Sequence, residues 1–240
     1  MPPSPLPRYS SYEQFGEPLA TSASPRWVKT VDGKEWLLKR MEDSGAEEII
    51  AEALAWRLGE ALDLLIPPGA LLTHGAQRGW LSGRLEDVRH WHPELRARIS
   101  NLDQVAGMLV LDAILGNRDR HEANILVESS ADESSARVWA IDHGAAQVAD
   151  PILFQQLGLA PPRPHRQSPQ LPYRALAAPA RTAASRLQAM EEAALRQMAE
   201  EAWGLVDQRP PPETLDLLAR RCRLAVQIVD AYLTCFGDPS

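Results

Sequence analysis

The stretch Leu111–Gln147, LDAILGNRDRHEANILVESSADESSARVWAIDHGAAQ, decides how the chain is read. Asp119, His121 and Asn124 fall within six residues between apolar runs, and Asp142 follows the strand-like RVWAI. A core has no use for such a set. Asp119 and Asn124 stand five apart, so they can line one side of a loop and meet a common phosphate. A hairpin made of ANILVE and ARVWAID, joined by SSADESS, returns Asp142 beside Asn124. An amide and a carboxylate offer hard oxygen ligands, which suit magnesium.

Upstream, NLDQVAGMLVLDAILG is too apolar for a surface helix and reads as a central buried one. PRWVKTV and KEWLLKR are strand-like and separated by Asp32-Gly33, a strong hairpin signal. Lys39 falls near the end of the second strand. SGAEEIIAEALAWRLGEAL has helical spacing, with Ser44 as N-cap and Glu47 completing a capping box. GALLTHGAQRGWLSGRL reads as two more strands. Downstream, residues 151–158 read as a short helix and 160–180 as a Pro-rich irregular segment, before helices at about 182–204 and 212–236. The fold expected is α+β with two lobes. A flexible leader covers 1–20, a small antiparallel sheet with one helix covers 21–86, and a mainly helical lobe carrying the catalytic hairpin covers 87–240.

The chain has 240 residues and a net charge of −7, which argues against general nucleic-acid binding. Cys222 and Cys235 fit no zinc site and read as two buried small hydrophobes. No apolar signal core or membrane-length run is present in the sequence, so a cytoplasmic location with no membrane partner is expected. HEAN lacks the second histidine of a zinc protease, and His90-Trp91-His92 reads as a surface loop.

LDAILGNRDRHEANILV followed by VWAIDHG resembles the HipA-like kinases, and is similar to the phosphoinositide kinases, which share the D-R-H-x-x-N loop and a later I-D-[FH]-G. The resemblance runs through most of the chain: SASPRWVKTVDGKEWLLKR is similar to a phosphate loop and lysine strand, EEIIAEALAWRLG to the first helix, and GWLSGRLED to the inter-lobe hinge. It implies an ATP- and magnesium-dependent kinase acting on a protein Ser/Thr hydroxyl, sometimes its own. Asp119 would be the catalytic Asp, Asn124 and Asp142 the magnesium ligands, and Lys39 the phosphate lysine. Arg120 and His121 would brace the loop or the transferring phosphate. Backbone near Ser22 and Ser24 would cradle phosphates, and backbone from Ser82 through Leu85 to Glu86 would meet the adenine.

The sequence also departs from the pattern. It has no glycine-rich G-x-G-x-x-G, and His143-Gly144 stands where many kinases have Phe-Gly. The glutamate that pairs with Lys39 is Glu48 by motif but Glu47 by helical wheel. The segment from Glu60 to Pro67 looks a few residues longer than the family's. A pseudokinase or nucleotide-sensing module, and transfer of a nucleotide in place of a phosphoryl group, stand as alternatives. The acceptor could be a serine of ESSADESS or Ser168.

Overall fold

A computed structural model describes residues 6–15, 17, 19 and 24–236. The elements of the first lobe are β1 (Arg8–Tyr9), β2 (Tyr12–Gln14), β3 (Arg26–Thr30), β4 (Glu35–Arg40), α1 (Met41–Ser44), α2 (Ala46–Ala61), β5 (Gly69–His74) and β6 (Gln77–Gly83). The strands form one sheet in the order β1-β5-β6-β4-β3-β2. Two expectations need correcting. The described part of the leader is not loose, because it supplies both β1 and β2. The sheet is also not wholly antiparallel, because β1 runs parallel to β5.

Period-two alternation divides the sheet's faces. Val28, Trp36, Leu38, Ala70, Leu72 and Leu81 form a small separate core on one face. Leu71 and Trp80 join the main core with α2 on the other. Lys39 follows Leu38 and so takes the α2 face. The β3–β4 turn is held by Asp32, which accepts from Thr30 Oγ1 at 2.6 Å, while Gly33 adopts φ 81°.

Helix α2 does not begin with the expected capping box. Ser44 ends α1, and its hydroxyl donates back to the Arg40 carbonyl at 3.0 Å. The N-cap is Gly45 at φ 87°, a backbone angle a residue with a Cβ rarely adopts. The chain turns sharply between two helices here, and that geometry selects glycine over a side-chain cap.

The second lobe contains β7 (Val88–His90), α3 (Leu102–Leu115), β8 (Ile125–Ser129), β9 (Ala136–Ala140), α4 (Pro151–Leu157), α5 (Tyr173–Gln188), α6 (Glu192–Gly204), α7 (Pro212–Arg223) and α8 (Ala225–Thr234). Strands β7, β8 and β9 form a second sheet. Helix α3 is buried from Val105 to Leu115, as its composition predicts. It ends at Gly116, φ 76°, which releases the chain into the loop carrying Asp119.

The helices after α4 differ from the sequence reading. Residues 173–180 are helical, not irregular, and Pro179 lies inside α5. Tyr173, Leu176, Ala180, Ala184 and Leu187 bury one stripe of that helix against α3 and α8. That packing offsets the roughly 3 kcal/mol that an interior proline costs. The two expected closing helices are four, with breaks at 189–191 and at Leu224.

Arg221 on α7 is wholly buried, and it donates to the carbonyls of Ala113, Ile114, Gly158 and Ala160. It thus satisfies carbonyls that the end of α3 leaves without partners. Burial lowers its pKa to about 10. Cys222 is buried but Cys235 is exposed, so only one of the two expected buried thiols is found. Trp91 is likewise buried, anchoring what reads in sequence as a surface loop. Among the described residues, no helix is long and apolar enough to cross a membrane.

Candidate active site

Strand β4 carries Lys39 into the space between the lobes, where its Nζ meets three carboxylates. It donates to Glu52 Oε1 at 2.6 Å and to Asp142 Oδ1 at 2.8 Å, and it lies 2.7 Å from Glu48 Oε1. Glu48 and Glu52 are four apart on α2, so they share one face of the helix. Of the two glutamates left open by the sequence, Glu48 makes the pair. Glu52, buried and not singled out by sequence, makes another. Oxygens of Glu48, Glu52 and Asp142 all lie within 4.8 Å of one another, so a cation among them is needed to offset their repulsion. Burial alone would lower the Lys39 pKa, but Glu52, Asp142 and Glu48 together hold it well above the usual lysine range. Burial likewise opposes ionisation of Asp142, yet Lys39 and then Arg120 keep its pKa below the ordinary value.

Asp142 sits at the end of the β8–β9 hairpin with φ 58°, a left-handed angle uncommon for a residue with a Cβ. Gly144 follows in close contact with α2. A Cβ there would lie 2.4 Å from Glu48 Cγ, so only glycine lets Glu48 approach without a shift.

The loop after α3 is braced by Arg120. Its Nε and Nη2 donate to the two oxygens of Asp112, each at 2.9 Å. Nη1 donates to the carbonyls of Asn124 and Ile141, each at 2.6 Å, and Nη2 lies 3.2 Å from His143 Nδ1. All five guanidinium N–H groups are thereby used. Of the two roles expected for Arg120, bracing the loop is the one its contacts match. Burial would lower its pKa, and Asp112 more than offsets this. Asp112 also accepts from Asn117 Nδ2 at 2.8 Å, and Asn117 Oδ1 accepts from the Asp119 amide at 3.1 Å. A chain of hydrogen bonds therefore runs from the buried helix to Asp119.

Asn124 Nδ2 donates to the Asp119 carbonyl at 2.9 Å, which closes the loop and leaves the amide oxygen for another partner. That oxygen and the half-exposed carboxylate of Asp142 are hard donors suited to magnesium or manganese. His121 Nδ1 accepts from the Ala123 amide at 3.2 Å, and its Nε2 lies 3.8 Å from Asp119 Oδ2.

His143 is buried, and its Nε2 has no partner among the described residues. Burial, followed by the nearby Arg120, lowers its pKa to about 4. It lines a cavity of about 30 Å³ between the lobes, together with Glu52, Trp80, Ser82, Ile141 and Asp142. That is room for a water molecule.

The residues expected at the adenine divide. Ser82 is paired on both sides of β6, with Leu37 and with Gly69, and it borders the inter-lobe cavity. Glu86 instead borders a larger groove of about 820 Å³ with Glu35, Trp36 and Arg84. Leu85 lies between the two in the connection to β7. Ser24 has φ 41°, at the edge of the segment expected to cradle phosphate. Ser22 lies outside the described residues.

Sequence reasoning missed Glu52, Asp112 and Asn117, and noted His143 only as a departure from Phe-Gly. A single Asp inside the apolar run LVLDAIL, and a second Glu one turn after Glu48, were the available signals.

A family model described as phosphatidylinositol 3- and 4-kinase matches residues 90–171, about a third of the chain. No curated protein sequence matches. The structure is similar to that of a Helicobacter pylori proinflammatory kinase, CtkA, with a TM-score of 0.60 at 13% identity over 98% of this chain and 100% of that one. It is also similar to the Golgi casein kinase with Mn/ADP bound, with a TM-score of 0.53 at 13% identity over 98% of this chain and 74% of that one. HipA of Shewanella oneidensis, in complex with HipB and operator DNA, aligns with a TM-score of 0.48 at 11% identity over 91% of this chain and 66% of that one. The chain therefore has the α+β, two-lobed fold of the protein-kinase-like proteins.

Proposed function

We propose that the protein is an ATP- and magnesium-dependent phosphotransferase of the HipA-like kind, moving the γ-phosphate of ATP to a Ser or Thr hydroxyl of a protein. The observation that carries this reading is the 2.8 Å contact between Lys39 of the sheet lobe and Asp142 of the helical lobe. It brings a phosphate-binding cation next to a metal-type carboxylate, with the Asp119–Asn124 loop alongside. Such a set is what phosphoryl transfer needs, because the chemistry is mostly positioning and charge neutralisation.

Lys39 has three ammonium protons, and its three carboxylate contacts match that number. Phosphate can reach it only if one carboxylate moves, and Asp142 is the most exposed of the three, its side chain being 43% accessible. Asn124 and Asp142 would hold the magnesium, which supplies charge neutralisation at the phosphates. Asp119 accepts the proton of the acceptor hydroxyl as its oxygen bonds to the γ-phosphorus. The bond from phosphorus to the β–γ bridging oxygen breaks, and ADP leaves with that oxygen. Asp112, Asn117 and Arg120 hold the loop in shape and touch no substrate.

Of the serines considered as acceptors in the chain itself, those of Ser129–Ser135 lie at the far tip of the β8–β9 hairpin. They are roughly 15–20 Å from Asn124 by strand rise, too far for transfer within one molecule.

A second reading is a nucleotide-sensing module without turnover. The observation that favours it is the full commitment of Lys39 to carboxylates. Incubation with γ-labelled ATP and magnesium, followed by ADP assay and intact mass, separates the readings. A gain of phosphate that vanishes in Asp119→Ala and Asp142→Ala is expected. Turnover surviving both substitutions would sink the mechanism. A gain of AMP would mean nucleotidyl transfer, and ATP binding without turnover would mean the sensing module.

A further inference from the structure

His165 belongs to no motif of the sequence, yet its ring lies against the catalytic loop. Its Nε2 is 3.8 Å from Asp119 Oδ1, and its ring centroid is 5.4 Å from that of His121. The two imidazoles flank Asp119, one facing each carboxylate oxygen. Each ring is oriented in the same way. The Ala123 amide donates to His121 Nδ1, and the Gln167 amide donates to His165 Nδ1 at 3.1 Å. With Nδ1 accepting, the ring proton sits on Nε2, so both rings present an N–H to Asp119.

The segment that carries His165 is anchored at both ends. Arg221 binds the Ala160 carbonyl at its start, Pro169 and Leu171 are buried near its end, and the Ser168 hydroxyl donates to the His165 carbonyl at 2.6 Å. The side chain of His165 is 32% accessible.

We propose that His165 is the acceptor-side residue of the phosphotransfer site, an inference that rests on the phosphotransferase reading above. A separation of 3.8 Å is too long for a hydrogen bond between the imidazole and Asp119. It is the separation at which an oxygen about 2.8 Å from each can bridge them. An acceptor hydroxyl in that position donates its proton to Asp119 Oδ1 and receives the Nε2–H of His165 on one lone pair. Its other lone pair is left for the γ-phosphorus. His121 belongs to the loop that carries Asp119, whereas His165 reaches Asp119 Oδ1 from the separate segment before α5.

Substitution at this position separates a chemical role from a structural one. Asn keeps an oxygen near Nδ1 for the Gln167 amide but has no donor that reaches Asp119. Gln loses that turn contact but carries an N–H out to the Nε2 position. The experiment measures ADP release with water as acceptor, and γ-phosphate transfer to a library of Ser- and Thr-containing peptides. It uses the full chain with magnesium, alongside Asp119→Ala.

His165→Ala and His165→Asn are expected to lower kcat by about tenfold to a hundredfold with KM for ATP unchanged, and His165→Gln to recover part of the loss. Full activity in His165→Ala, a rise in activity, or rescue by Asn but not by Gln would each overturn the inference while Asp119→Ala remains inactive. Wild-type turnover that is unchanged in Asp119→Ala, or absent altogether, would overturn the phosphotransferase reading and this inference with it.

Discussion

Lys39 and Arg120 are both buried cations, and they are satisfied in opposite ways. Every N–H of Arg120 goes to a partner that is itself buried or main-chain: Asp112, the carbonyls of Asn124 and Ile141, and His143. Nothing in that network can leave without stranding a buried charge. Lys39 instead meets two glutamates of one helix and one aspartate of the other lobe, and the aspartate is open to solvent. One arrangement is a joint, and the other is a clasp with a removable member. In the proposed mechanism this difference separates residues that hold the site from residues that act in it.

The largest effect is expected on the joint. Asp112→Ala leaves Arg120 buried without its carboxylate and should lower stability by about 3–5 kcal/mol in urea unfolding. A loss below about 1 kcal/mol would mean that the loop is held by something else. The clasp should behave in the reverse manner. Asp142→Asn is expected to reduce phosphoryl transfer by about a thousandfold, within the range for a directly acting group. It should shift stability by less than about 1 kcal/mol, since Lys39 keeps both glutamates. Comparable losses of stability in the two variants would erase the distinction.

His143 sits between the two networks and makes stability depend on pH. Its native pKa of about 4 lies below the ordinary histidine value of 6.5. Between these values the unfolded chain binds a proton that the native chain refuses, so stability falls as pH drops from about 6.5 to about 4. The loss is at most about 3 kcal/mol. His143→Phe should flatten this part of the stability profile, and an unchanged acid limb would show that other groups dominate it.

The smallest effects separate the two glutamates. Glu52→Gln is expected to raise KM for ATP by about tenfold, and Glu48→Gln by about threefold, because Glu52 is the more buried partner and its charge is screened least. Equal effects would make them interchangeable. Gly144→Ala should match Glu48→Gln, since the three atoms nearest the added Cβ all belong to Glu48.

The local elements were legible where periodicity was clean. The β3–β4 hairpin, the buried helix α3 and the β8–β9 pair follow from alternation and composition. The start of α2 was misread because Ser44 and Glu47 mimic a capping box, while the turn between α1 and α2 requires the glycine. Helix α5 was misread because prolines at 169, 172 and 179 signal irregular chain, and only packing on α3 and α8 outweighs the last of them. At the site, Asp119, Asn124 and Asp142 stood out because polar residues in apolar surroundings are costly without a purpose, and Lys39 by its place near the end of a strand and by the family resemblance. Glu52, Asp112 and His165 did not, because their roles depend on partners distant in the chain.

By itself the sequence determined the residue types and spacing of one loop, one hairpin and one lysine strand, since these are set by short-range geometry. Tertiary structure alone decided which glutamates clasp Lys39, that Asp112 anchors Arg120, and that a histidine from a proline-rich segment faces Asp119. The physical reason is reach. Backbone geometry fixes neighbours a few residues apart, whereas the contact of Lys39 with Asp142 spans 103 residues and exists only in the folded chain.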